Sequence, residues 1–176
     1  WYVWKASADD NWLRERLPQL RKAVQYMMSH PDRWSSSRQL VKRAYTMDTW
    51  DFSNPRFYKM KDHRLLPTEG EPFFIYHGDN SGCYSALVRM AEMCSGIGLQ
   101  EEAGEWSRKA DSFRKRANEL LWHGPSYAAM VPEEELGLGT TSIRSKANGS
   151  SRVLCTVDNL GNLQGIVHGA GLLQPG

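Results

Sequence analysis

The chain has 176 residues, a formal net charge of +2 and 40% hydrophobic residues, which is enough for one domain with a core of its own. So small a charge argues against a nucleic-acid or anionic-membrane partner, and the unbroken apolar runs are a few residues long, too short to cross a bilayer. Seven tryptophans and seven tyrosines call for a large aromatic core, or for rings that line a sugar-binding cleft.

The chain opens Trp1-Tyr2-Val3-Trp4 with no initiator methionine and nothing that reads as a signal peptide, so it is expected to be a piece of something longer. Leu13, Leu17, Leu20, Val24 and Met27 recur at steps of four and three, which predicts a helix over 9–30. Ser7 is the expected N-cap, and Asp9 and Asp10 suit the positive end of the helix dipole. Pro18 predicts a kink or a restart, because its ring clashes with the carbonyl of Arg14. Residues 32–46 are mixed: Ser35-Ser36-Ser37 reads as a turn or cap, and Arg38 to Tyr45 fits either a short helix or an extended segment. A polar and aromatic loop follows at 48–57. The charged stretch Lys59 to Pro72 reads as a surface excursion, and Phe73-Phe74-Ile75-Tyr76 as a short extended run.

The next helix is predicted over 81–96, with Ser81 as N-cap and a buried stripe of Tyr84, Leu87, Val88, Ala91 and Cys94. Gly96 and Gly98 stop it. The clearest helix spans 100–122, where Ala103, Trp106, Ala110, Phe113, Ala117 and Leu120 hold a 3.6-residue period. Its early Glu101, Glu102 and Glu105 and later Arg108, Lys109, Arg114, Lys115 and Arg116 match the dipole. The short link Gly96–Leu99 makes the two an antiparallel hairpin. Cys83 and Cys94 fall eleven apart on one helix, far beyond disulfide range, so the thiols are expected to be reduced. After Trp122 the character changes. From about Glu133 the chain is rich in Gly, Ser and Thr and has no sustained period.

The stretch Asp48-Thr49-Trp50-Asp51-Phe52-Ser53-Asn54-Pro55-Arg56-Phe57 resembles the catalytic loop of inverting glycosidases built on a toroid of six helical hairpins. These are the trehalases, the processing α-glucosidases and the debranching-type glucosidases. Their motif runs Trp-Asp-Phe/Trp-Ser, a short spacer and Arg-Phe; here Thr49 stands at a usually small position and Pro55 sits inside the spacer. Asp10-Asn11-Trp12-Leu13-Arg14-Glu15 with Leu17-Pro18 is similar to the stretch before that loop. Asp79-Asn80 opening a helix, then Ala103, Trp106, Ala110 and Leu121-Trp122, continue the likeness in order over residues 1–131. The resemblance implies an all-α fold, a partial (α/α)6 toroid with long loops; it fades after 131, and the composition of 132–176 reads as an irregular loop or disordered tail.

The implied activity is inverting, α-glucosidase-like hydrolysis of a glycosidic bond, without a cofactor or metal, on an oligosaccharide or glycoside; nucleic acid and membrane are not expected partners. Such hydrolysis uses two carboxyls about 6.5–9.5 Å apart, one protonating the leaving oxygen and one activating water. The resemblance makes Asp51 the general acid, and Trp50 and Phe52 beside it would supply the apolar wall that keeps its proton. Trp50 would also offer a face to a sugar ring, Arg56 a donor fork for hydroxyls, and Asp79 and Asn80 further hydroxyl contacts. The structural roles set against these are a cap of the Ser53-Asn54 turn for Asp51, core packing for Trp50, a salt bridge for Arg56 and a helix cap for Asp79 and Asn80. The general base is expected outside the chain, since Glu133, Glu134 and Glu135 read as a solvated loop. The segment is therefore expected to be inactive alone and, with apolar helix faces uncovered, to self-associate.

Two other readings stand beside the hydrolase: a non-catalytic carbohydrate-binding relative on the same scaffold, and a helical protein-interaction segment, against which no repeat period is seen. The five histidines show no metal-ligand spacing. There is no phosphate-binding glycine loop or nucleophile elbow, and Asn148-Gly149-Ser150 fits a glycosylation sequon.

Overall fold

The computed structural model describes residues 1–43, 58–61, 64–67, 73–123, 126–128 and 130–133. Within them the protein is mostly helical, with a few short strands. The elements run α1 (Tyr2–Ser7), α2 (Asp10–Met27), β1 (Trp34–Ser35), β2 (Leu40–Val41), β3 (Tyr58–Lys61), β4 (Arg64–Pro67), β5 (Phe74–Tyr76), α3 (His77–Gly96), α4 (Gln100–Leu121), β6 (Trp122–His123), β7 (Ser126–Tyr127) and β8 (Met130–Pro132).

Helix α2 starts one residue later than its period suggests and is capped by Asp9, whose carboxylate accepts from the Trp12 N–H at 2.9 Å. Ser7 is not the cap. It ends α1, a six-residue helix that the sequence reading missed, and its hydroxyl accepts from the Asp9 N–H instead. Pro18 lies inside α2, which continues to Met27 as one element; Leu13, Leu17 and Val24 on its inner face are all buried. Of the open choice over Arg38–Tyr45, Leu40–Val41 resolves as extended. β1 and β2 pair antiparallel, Trp34 opposite Val41, around a turn in which Gln39 takes a left-handed φ of 57°.

Helix α3 is the centre of the structure. It begins at His77, four residues before the expected start, with extended Tyr76 as N-cap and no side-chain cap. Ser81 is therefore a buried residue of the second turn. Tyr84, Leu87, Ala91 and Cys94 are buried as the stripe requires, and so are Cys83, Ser85, Met90 and Met93, while Val88 is half-buried. Burial on more than one face means that α3 is covered from several sides, by α2, by α4 and by β2 and β5. Helix α4 folds back along α3 after a three-residue link in which Gly98 has φ of 84°. Its buried face is Ala103, Trp106, Ala110, Phe113, Ala117 and Leu121; Leu120 sits beside that face, half-buried.

The C-terminal end of α3 is tied down from outside. Arg14 of α2 donates to the Ile97 carbonyl at 2.7 Å, which satisfies one of the acceptors a helix end leaves open. Gly96 is needed for packing as well as for stopping the helix. A Cβ there would meet the Trp4 ring at 2.5 Å, so α1 can seat its buried tryptophan only against a glycine.

A second tie joins α2 to α4. Arg21 grips the Glu102 carboxylate through two N–H groups at 2.6 and 2.5 Å, and Trp106 Nε1 donates to the same carboxylate. The Arg21 fork, with Trp106 behind it, holds the Glu102 pKa below its ordinary 4.5. At Glu92 burial pushes the carboxyl up, but Lys5 and Trp1 outweigh it and the net shift is also downward. Groups with depressed folded pKa values add stability that is complete above the unfolded pKa and is lost as pH falls through the folded one. The melting temperature is therefore expected to fall as pH drops below about 4.5. Glu102→Gln should flatten part of that slope; a variant with the wild-type slope would remove this tie from the account. Burial pushes the Cys83 thiol up to about 12 and that of Cys94 to about 11, and both are free, so they behave as protonated core residues.

Candidate functional site

The polar residues collect around the N-terminus of α3. β5 enters that helix directly and pairs antiparallel with β8, Phe74 opposite Pro132 and Tyr76 opposite Met130. On the other side of β5, Arg43 and Phe74 exchange two backbone hydrogen bonds of 2.9 Å each. The chain thus leaves at Arg43 and returns at Phe74 through one neck. Trp50, Asp51, Phe52 and Arg56, the residues expected to carry the chemistry, belong to the segment between those two anchors and lie outside the described residues.

Two side chains of α3, Asn80 and Asp79, fasten the neck to that helix. Asn80 is fully buried. Its Oδ1 accepts from the Val41 N–H at 2.9 Å, and its Nδ2 donates to the carbonyls of Val41 and Tyr76 at 3.0 and 2.7 Å. The amide therefore stands in for a neighbouring strand and completes β2. In place of the expected sugar hydroxyls it has backbone partners, and it presents no surface to a ligand.

Asp79, one residue earlier in the first turn of α3, accepts from Arg43 Nε. The Arg43 guanidinium also lies over the Tyr76 ring, 4.3 Å from its centre. Asp79 keeps 30% of its side chain exposed, against 13% for Arg43. Its place at a helix N-terminus suits a negative charge. Below it His77 is buried, with Nε2 3.3 Å from the Ser81 hydroxyl.

Lys42 binds both oxygens of Glu133 at 3.0 and 2.8 Å and covers the Phe73 ring. Arg38 adds a bond to the Glu133 carbonyl at 3.2 Å. Glu133 is thus the clasp that holds β2 to the end of β8, with 13% of its side chain exposed, where the sequence reading had placed it in a solvated loop. Held by an ammonium on both oxygens, it is not placed to activate water.

Arg43 and Lys42 were not singled out by sequence. Their partners lie 36 and 91 positions away, and no local pattern signals a pair at that range. Among the described residues no group of three or more metal-ligating side chains comes together, and no helix is long and apolar enough to cross a membrane. Comparison with known protein families, with curated proteins and with solved structures gives no match.

Proposed function

We propose that this chain carries the general-acid loop of an inverting, α-glucosidase-like glycoside hydrolase, and that its helices are hairpins of a six-hairpin toroid. The observation that carries the reading is the Trp50-Asp51-Phe52-Ser53 run with Arg56-Phe57, set in a segment that leaves and re-enters the scaffold at a single neck between Arg43 and Phe74. The neck supports the reading because a proton donor must be delivered by a rigid base. Here both ends of the segment are hydrogen-bonded to each other and fastened to the first turns of α3. The order of elements supports it too: a capped helix before the loop and a tight helical hairpin after it.

In this reading Asp51 gives its proton to the glycosidic oxygen as the bond to the anomeric carbon breaks. Trp50 and Phe52 make its charged form costly, so the proton is retained near neutral pH. Asp79, anchored by Arg43 and partly exposed, accepts from a sugar hydroxyl. The second carboxylate, which activates water from the opposite face of the ring, comes from elsewhere in the catalytic domain, so the 176 residues alone hydrolyse nothing.

The test is the stereochemistry of the first product. The complete reading frame, given a methyl or alkyl α-glucoside, should release β-glucose ahead of mutarotation, as followed by proton NMR of the anomeric signal. Release of α-glucose would replace inversion by a covalent route and remove the single-displacement role of Asp51. Saturable sugar binding with no product at any enzyme concentration would favour the non-catalytic relative.

A further inference from the structure

The structure points to a second binding site, in the seam between α2 and α3, and we propose that it takes a small neutral amphiphile: an aryl or alkyl group carrying one hydroxyl. A groove of about 310 Å³ runs between α2 and α3. Leu20 and Val24 line it from α2, and Met90 and Arg89 from α3. The lining is mainly aliphatic, and the volume falls at the lower end of the range for small-ligand pockets, about 300–1,000 Å³.

Two observations favour a ligand over a bare seam. The first is Ser85, which lines the groove at 4% exposure with a hydroxyl that has no hydrogen-bond partner. An unmatched buried hydroxyl is costly, and a ligand oxygen within its reach would relieve it. The second is Gly82, one turn earlier on α3, where nothing lies within 4 Å of an added Cβ, so the groove is open at that point down to the helix backbone. The mainly apolar lining, rather than the hydroxyl, selects for a neutral oxygen. The charge of Arg89 is already engaged: it donates to Tyr2 Oη at 3.1 Å, lies over the Trp1 and Tyr2 rings and faces Glu92. A carboxylate would gain little there.

The probes are benzyl alcohol, toluene and benzoate, titrated into the whole chain and read from the methyl signals of Met90 and Met93. Benzyl alcohol should bind several-fold tighter than toluene, and benzoate no better than toluene. Ser85→Ala should erase the preference for the alcohol while leaving toluene binding unchanged, a split that mere loss of structure would not give. Gly82→Leu fills the open space from a helix interior. It should weaken all three by more than about tenfold while holding or raising the melting temperature, since leucine is the better helix former. Three results would overturn the proposal: undiminished binding in Gly82→Leu, an alcohol preference that survives in Ser85→Ala, or a dimer in sedimentation that Gly82→Leu dissociates, which would make a second copy the occupant.

Discussion

Replacing Asn80 with leucine should cost the fold more than removing any other single polar side chain among the described residues. The side chain is fully buried and makes three hydrogen bonds to backbone. Leucine has nearly the same volume, so no large cavity opens. The Val41 N–H and carbonyl, however, lose their partner in a site that water cannot reach. Each stranded backbone group costs about 1–3 kcal/mol, so a loss of about 2–6 kcal/mol is expected from the two. For a chain of this size that is roughly 4–24 °C in melting temperature. The damage should be local first. Strand β2 hangs on Asn80, and Arg43, two residues beyond Val41, holds the neck. Amide exchange at Val41 and Arg43 should therefore accelerate more than at Leu87 or Ala110 in the helical core. Asn80→Asp is the informative companion: it keeps the acceptor for Val41 N–H but turns a carboxylate oxygen toward the Val41 and Tyr76 carbonyls in a buried site, so at neutral pH it should cost at least as much as leucine and recover in part when the acid is protonated. If Asn80→Leu melts within a degree or two of wild type, the clamp is not what holds β2.

The second large effect is on turnover. In the complete catalytic domain Asp51→Asn keeps the shape of the side chain and removes its proton. General acid catalysis contributes about 10²–10⁴ in rate, or about 3–5.5 kcal/mol of barrier at 1.36 kcal/mol per factor of ten. That loss should fall on kcat, with KM for an alkyl glucoside within a few-fold of wild type, because asparagine can still bond to the substrate oxygen in the ground state. Sugar binding, measured by calorimetry on a substrate that is not turned over, should survive. A variant that loses binding and turnover together would make Asp51 a structural cap of the Ser53-Asn54 turn. A variant with full activity would place the acid on another residue.

How much of this was legible in the sequence differs by element, for physical reasons. Helix α4 was found nearly to its ends, because Ala103, Trp106, Ala110, Phe113 and Ala117 bury one face and the opposite face is charged. The body of α3 was found from the same kind of stripe, but not its start. Gly78, Asp79 and Asn80 have the composition of a turn, and the reason that they are helical is tertiary: Asn80 reaches back to Val41 and Asp79 to Arg43. The short antiparallel pieces were invisible for a related reason. β1 with β2 and β6 with β7 are two-residue ladders, too short to show an alternation of two. Only Phe74–Tyr76, apolar and flanked by turn formers, announced itself as extended.

The candidate site divides in the same way. Asp79 was named from sequence and stands, partly exposed, at the helix N-terminus beside the neck. Asn80 was named with it, yet one position further round the helix it points into the protein and serves β2. Glu133 was set aside as solvated and proves to be the clasp for Lys42. A local reading of residue types sees that a carboxylate or an amide is present. It does not see whether a backbone strand, an ammonium or a sugar will meet it.

The most direct test of the central claim is the dependence of the Asp51→Asn defect on the leaving group. A proton donor matters in proportion to how badly the departing oxygen needs a proton. The complete enzyme and its Asp51→Asn variant should be compared on a methyl α-glucoside and on a 2,4-dinitrophenyl α-glucoside, whose phenolate departs unaided. If Asp51 is the general acid, kcat should fall by about 10²–10⁴ on the methyl glucoside and by less than about tenfold on the dinitrophenyl one. An equal loss on both substrates would show that Asp51 does not deliver the proton, and would contradict the reading.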